Sequence, residues 1–90
     1  MKVINDFNIG QLVCSIAGRD KGSLYVVVKM AEKNNVWVAD GRKRKVEKPK
    51  KKNSKHLKKL PNPADKSSEN KLKDEVVRNI ITQYRKQNSV

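Results

Sequence analysis

The sequence predicts a mainly β protein: a small barrel of about five strands, with a basic extension and a C-terminal α-helix. Three observations lead there. Apolar, β-branched residues crowd into positions 3–39 as short runs separated by glycine-bearing turns. The stretch GRKRKVEKPKKKNSKHLKKL, residues 41–60, holds eleven Lys or Arg against one acid, Glu47, and so carries +10 of the chain's net +13. Further on, apolar residues recur at helical spacing from Leu72 to Tyr84. With 36% hydrophobic and 4% aromatic residues in ninety, the chain can bury only a thin core, so one small domain is expected.

The elements follow in order. GQLVCSIAG (10–18) begins and ends in glycine, and Leu12, Cys14 and Ile16 alternate with Val13 and Ser15. Period two predicts a strand, here apolar on both faces. GRDKG (18–22) is a turn in which Gly18 and Gly22 bracket three charged residues, since glycine accepts the positive φ of a chain reversal. SLYVVVKMA (23–31) is the best strand, with Val26, Val27 and Val28 beside Tyr25. EKNN (32–35) reads as a hairpin loop and VWVA (36–39) as a third strand, with Tyr25 and Trp37 assigned to the core. Asp40-Gly41 is a strong hairpin signal. It leads into RKRKVEK as a fourth strand, broken at Pro49 in PKKKNS. KHLKKL is read as a short closing strand. Short strands joined by tight turns fit an SH3-like or OB-like barrel, whose closure removes exposed sheet edges.

PNPADKSS (61–68) is a linker. Beyond it, Leu72, Val76, Val77, Ile80, Ile81 and Tyr84 form one stripe of a helix over 69–87. Ser68 or Asn70 is its expected N-cap. Asp74 and Glu75 lie near the positive end of its dipole, and Arg85 and Lys86 near the negative end. The stripe is expected to pack on the barrel. The domain layout is therefore a barrel over 8–60 with its basic segment at 41–60, then linker, then helix.

Function classes narrow quickly. The chain has one His and one Cys, no paired carboxylates, no metal-ligand spacing and no phosphate-cradling glycine loop. An enzyme, a cofactor, a metal site and a small-molecule substrate are not expected. Cys14 reads as a small core residue, and a single thiol without a disulfide partner suits a cytoplasmic setting. No window is apolar enough to span a bilayer, and the N-terminus lacks the apolar run of a secretory signal.

Concentrated positive charge favours a polyanionic partner. Val46, Leu57 and Leu60 interrupt the basic ribbon as a folded strand requires, which argues against a merely solvated tail. Nucleic acid is the expected partner, with Lys and Arg neutralising phosphates and releasing counterions. No helix carries the basic excess, so a major-groove reader of DNA is disfavoured. The few aromatics argue against a broad stacking platform. Basic loops on a small barrel suit folded RNA, read by shape and phosphate position. The expected contacts are Arg42, Lys43, Arg44, Lys50, Lys51, Lys52, Lys55 and Lys58, with His56 adding a hydrogen bond. Arg42 and Arg44 supply planar, two-bond phosphate geometry. Asp40 and Gly41 form the turn that presents them. A membrane role is disfavoured because the helix stripe has no Trp or Phe anchor.

Residues 9–22, IGQLVCSIAGRDKG, resemble a KOW motif: a strand, a glycine-bearing basic turn and a second strand within an SH3-like barrel. Residues 38–56, VADGRKRKVEKPKKKNSKH, resemble part of the small bacterial KOW-domain RNA-binding proteins related to archaeal and eukaryotic large-subunit ribosomal proteins. The resemblance implies binding to RNA, with ribosomal RNA foremost, as a ribosome-associated protein of translation. It makes Gly18 and Gly22 the turn formers, Arg19 and Lys21 phosphate contacts at the tip, and Asp20 the residue shaping the turn. Ribosomal KOW proteins often continue with a further basic residue and glycine, where this chain reads SLYVVV. More of the binding then falls to residues 42–58. The alternative implied by some KOW domains is a protein-interaction module for the transcription or translation machinery.

Overall fold

A computed structural model describes residues 7–61 and 72–87. Among these residues the chain forms β1 (Leu12–Ser15), β2 (Leu24–Met30), β3 (Asn35–Ala39), β4 (Lys50–Asn53), a short 3-10 helix (Ser54–His56), β5 (Leu57–Lys59) and α1 (Asp74–Gln87). The protein is mainly β, as its sequence predicts. The five strands make one antiparallel sheet in the order β4-β3-β2-β1-β5.

That order forces the sheet to curl. Its two edge strands, β4 and β5, are consecutive in sequence and separated only by the 3-10 helix. Five flat strands would place the edges about 19 Å apart. The chain from Asn53 to Leu57 reaches at most about 14 Å. The short helix also bonds toward both edges: Ser54 N–H donates to the Asn34 carbonyl, and Ile16 N–H donates to the His56 carbonyl. The result is a small barrel-like sheet.

Alternation divides the apolar side chains between two cores. Phe7, Val13, Tyr25, Val27, Val36, Val38 and Leu57 fill the interior. Leu12 and Val26, their neighbours in sequence, face outward and pack against Val77 and Ile81 of α1, with Val46, Leu60, Leu72, Ile80 and Tyr84 around them. This explains why the β1 segment reads as apolar on both faces. A helix covers the outer side, so both faces are dry there. The C-terminal stripe thus packs on its own chain.

Two strand assignments need correction. Residues 42–48 are a loop and not a fourth strand. The Asp40 carboxylate accepts from Arg42 N–H and Arg44 N–H at 2.9 Å each. The N–H groups of Asp40 and Gly41 both donate to the Arg44 carbonyl. The backbone of this segment is closed on itself and cannot join a ladder. The fourth strand is instead Lys50–Asn53, paired with β3 from Val38↔Lys50 to Asn35↔Asn53. Pro49 precedes it, where its missing N–H costs no ladder bond. Of the predicted linker and helix start, residues 62–71, including Ser68 and Asn70, lie outside the described residues.

Candidate nucleic-acid interface

The β1–β2 turn is built around an acid. Gly18 and Gly22 take φ of 89° and 95°, and the Gly22 N–H donates to the Ser15 carbonyl at 2.8 Å. Arg19 and Lys21 are exposed on the turn, while Asp20 between them turns inward. Its carboxylate accepts from the Ser15 hydroxyl at 2.8 Å, the Tyr25 hydroxyl at 2.7 Å and Lys52 Nζ at 2.9 Å. Burial alone would raise the Asp20 pKa. The hydrogen bonds from Lys52, Tyr25 and Ser15, with the charge of Lys52, outweigh it and hold the carboxyl well below the usual range. Tyr25 moves the opposite way: burial first, then its bond to Asp20 and the charges of Asp20 and Asp40, push the phenol up.

Lys52 is therefore not a phosphate contact. It is only 9% exposed, and its ammonium spans both Asp20 oxygens and the Ser15 hydroxyl at 2.9–3.2 Å. Parity explains this. Lys52 pairs with inward-facing Val36, so β4 directs it into the barrel. Lys50 has the same parity but sits at the rim, partly exposed, with Nζ 3.5 Å from Asp20. Lys51, between them, faces outward.

The Asp40–Arg44 loop lies at the same end of the sheet as the 18–22 turn. β3 ends at Ala39, opposite Val26 near the start of β2, and the Tyr25 phenol bonded to Asp20 also senses Asp40 and Arg44. Helix α1 fixes this loop. Arg78 Nη1 donates to the Gly41 carbonyl at 2.8 Å, and the Asp74 carboxylate accepts from Val46 N–H at 2.8 Å. Gly41 has φ 79°. A Cβ there would stand 2.7 Å from Arg78 Cγ and from the Asp74 carbonyl oxygen. With the loop held by its own Asp40 and by α1, the side chains of Arg42, Lys43 and Arg44 are exposed.

The structure thus brings Arg19, Lys21, Arg42, Lys43, Arg44 and Lys50 to one end of the barrel. Lys55 and His56 are exposed on the 3-10 helix, tied to Ile16 just before the turn. Lys58 pairs with Cys14 and faces the outer side of the sheet. Lys51 faces outward across β3. Its Nζ is 2.8 Å from the Glu32 carboxylate and 5.5 Å from the Trp37 ring centroid.

Trp37 itself overturns its assignment to the core. Val36 and Val38 point inward, so Trp37 points out and is only partly buried. The alternation of VWVA carried that signal. The clamp residues Asp74 and Arg78 carried none, because only tertiary packing brings them to the loop.

Among the described residues, no group of three or more His, Cys, Asp or Glu side chains is placed to hold a metal ion. No helix among them is long and apolar enough to cross a membrane. No protein-family model matches this chain, and no curated protein matches it.

Proposed function

We propose that the protein is a non-enzymatic RNA-binding protein whose basic barrel end contacts phosphates. One observation carries the reading: exposed cations from two separate loops and a partly exposed lysine at the rim of β4 converge, while Asp20 is turned inward and neutralised by Lys52 and the Asp40 carboxylate is engaged by N–H groups of its own loop. Ordering two loops in advance reduces the entropy that binding must overcome. Arg19, Lys21, Arg42, Lys43, Arg44 and Lys50 are the main contacts, with Lys55 and His56 extending the surface. The resemblance of residues 9–22 and 38–56 to KOW-domain proteins directs the proposal to ribosomal RNA and a cytoplasmic, ribosome-associated role.

The test is the double variant Arg42→Glu with Arg44→Glu, assayed by RNA electrophoretic shift at fixed salt. Both side chains are exposed, so the fold should be retained while affinity falls on the order of a hundredfold. Unchanged affinity removes the loop from the interface. If the wild type binds no RNA at low salt but captures acidic proteins of the transcription or translation machinery, the protein-interaction reading replaces this one.

A further inference from the structure

Trp37 is the one tryptophan of the chain, and it sits on the outer face of the sheet between two lysines. The β-ladder pairs it with Lys29 on β2 and with Lys51 on β4. Lys29 reaches this row through a bulge. Two β2 residues, Val28 and Lys29, are passed while β3 advances only from Val38 to Trp37. The bulge turns Lys29 to the outer side, which strict alternation would have denied it. Lys29 and Lys51 are exposed. Helix α1 covers Leu12 and Val26 on the same face, and this row lies outside that apolar cluster.

An aromatic face on a rigid strand accepts few kinds of guest. A cationic ligand is disfavoured by a lysine on either side. An apolar peptide gains nothing from those charges. A nucleobase suits both parts, because the ring stacks on the indole while its flanking phosphates meet the ammonium groups. The base must be unpaired, since a base within a duplex has its faces already stacked. The strand that carries Trp37 runs directly into the Asp40–Arg44 loop, so a single strand leaving that loop's phosphate contacts can continue over this row.

We propose that Trp37, flanked by Lys29 and Lys51, is a stacking site for an unpaired base of the bound RNA. This rests on the RNA-binding reading and refines it: the ligand presents a single-stranded nucleotide beside the segment held by the basic end. Lys51 lies over the ring and is held by Glu32. On binding, it transfers from Glu32 to a phosphate as the base takes its place. Glu32 therefore opposes binding, and Glu32→Gln tightens it.

Trp37 reports on its own occupancy through fluorescence. The full chain is titrated at low salt with a single-stranded oligouridine of about eight nucleotides, with the same strand made abasic, and with a blunt RNA duplex. The oligouridine is expected to quench Trp37 emission saturably and to bind on the order of tenfold tighter than the abasic strand. Trp37→Leu should lose that advantage, and Trp37→Phe should keep most of it. Equal binding of oligouridine and abasic strand, with unchanged emission, overturns the stacking site and leaves RNA binding standing. Binding of the duplex alone does the same. Absence of binding to all three probes overturns the RNA reading and this proposal with it. The comparison of the first two strands uses the wild type, so it holds even if a Trp37 variant fails to fold.

Discussion

Asp20 and Lys52 are the two residues on which the barrel end depends, and their chemistry sets its response to acid. Lys52 is an ammonium group in a nearly dry site, satisfied by Asp20 and Ser15. Removing one partner of such a pair leaves an uncompensated buried charge, which costs about 3–5 kcal/mol. Asp20→Asn is expected to destabilise the fold near the lower end of that range, about 3 kcal/mol, because the amide still accepts one bond. Adding Lys52→Met should recover most of the loss, since no unpaired charge remains. Urea unfolding of the two variants checks this, and a double variant no better than the single would contradict it. The pH dependence has a definite sign. The folded-state pKa of Asp20 is depressed, so its contribution is fully present above the unfolded value of about 4 and is lost as pH falls below it. Thermal unfolding scanned between neutral and acid pH should show a steep loss below about pH 4 in the wild type. The Asp20→Asn with Lys52→Met variant should show a shallower one.

Helix α1 serves the loop as much as the core. Its apolar face meets Leu12 and Val26, while its first turns clamp residues 41–46 through Asp74 and Arg78. Gly41 is the contact point, and it is needed twice over, for a positive φ and for the absence of a Cβ. Gly41→Ala is expected to cost about 2–3 kcal/mol from left-handed backbone strain and overpacking together. Part of the clash is with the backbone of Asp74, so the helix must shift. Hydrogen exchange at the Val46 amide, which Asp74 protects, should accelerate in this variant well beyond exchange in β2. Equal acceleration at both places would mean global unfolding and not release of the loop. This pairing shows where the sequence is legible. β1, β2 and β3 announce themselves because each interleaves two apolar sets. The stripe of α1 is equally plain in Val77, Ile80 and Ile81. β4 is not legible, because its residues are Lys50, Lys51, Lys52 and Asn53, and no hydrophobic pattern marks a strand whose inward residue is a buried lysine. The run from Arg42 to Lys48 carries β-compatible spacing around Val46, yet Asp40 captures its backbone first. In the candidate site, Arg42 and Arg44 could be named from charge and turn chemistry alone, and Arg19 only through the resemblance of residues 9–22 to a KOW motif. The outward direction of Trp37 is legible in the alternation of VWVA, whereas the reversal of Lys52 and the outward turn of Lys29 depend on register.

At the scale of the molecule, the basic ribbon both closes the barrel and charges it. β4, the 3-10 helix and β5 bring the two sheet edges together and carry six lysines and no acid, so nearly half of the net +13 cannot be removed without opening the fold. This separates two ways of binding a polyanion. If the whole surface acts diffusely, most of the net +13 should enter the salt dependence. If the converged end acts as a site, a strand too short to reach the Trp37 row should engage only its six cations: Arg19, Lys21, Arg42, Lys43, Arg44 and the partly exposed Lys50. For single-stranded RNA each neutralised phosphate contributes about 0.7 to the slope of log K against log salt, so six contacts predict a slope near −4 and diffuse binding one near −9. Arg42→Glu with Arg44→Glu should reduce the magnitude of the site slope by at least about 1.4, as two contacts are lost. Lys58→Glu, on the outer side of β5, should leave it almost unchanged. A slope near −9, or equal responses to the two substitutions, would show that charge is spread and that the barrel end has no special place. A slope near −4 that responds only to the loop would show that the fold gathers a small fixed set of cations, two from the β1–β2 turn and four from the basic ribbon, and leaves the ribbon's other charges outside the site.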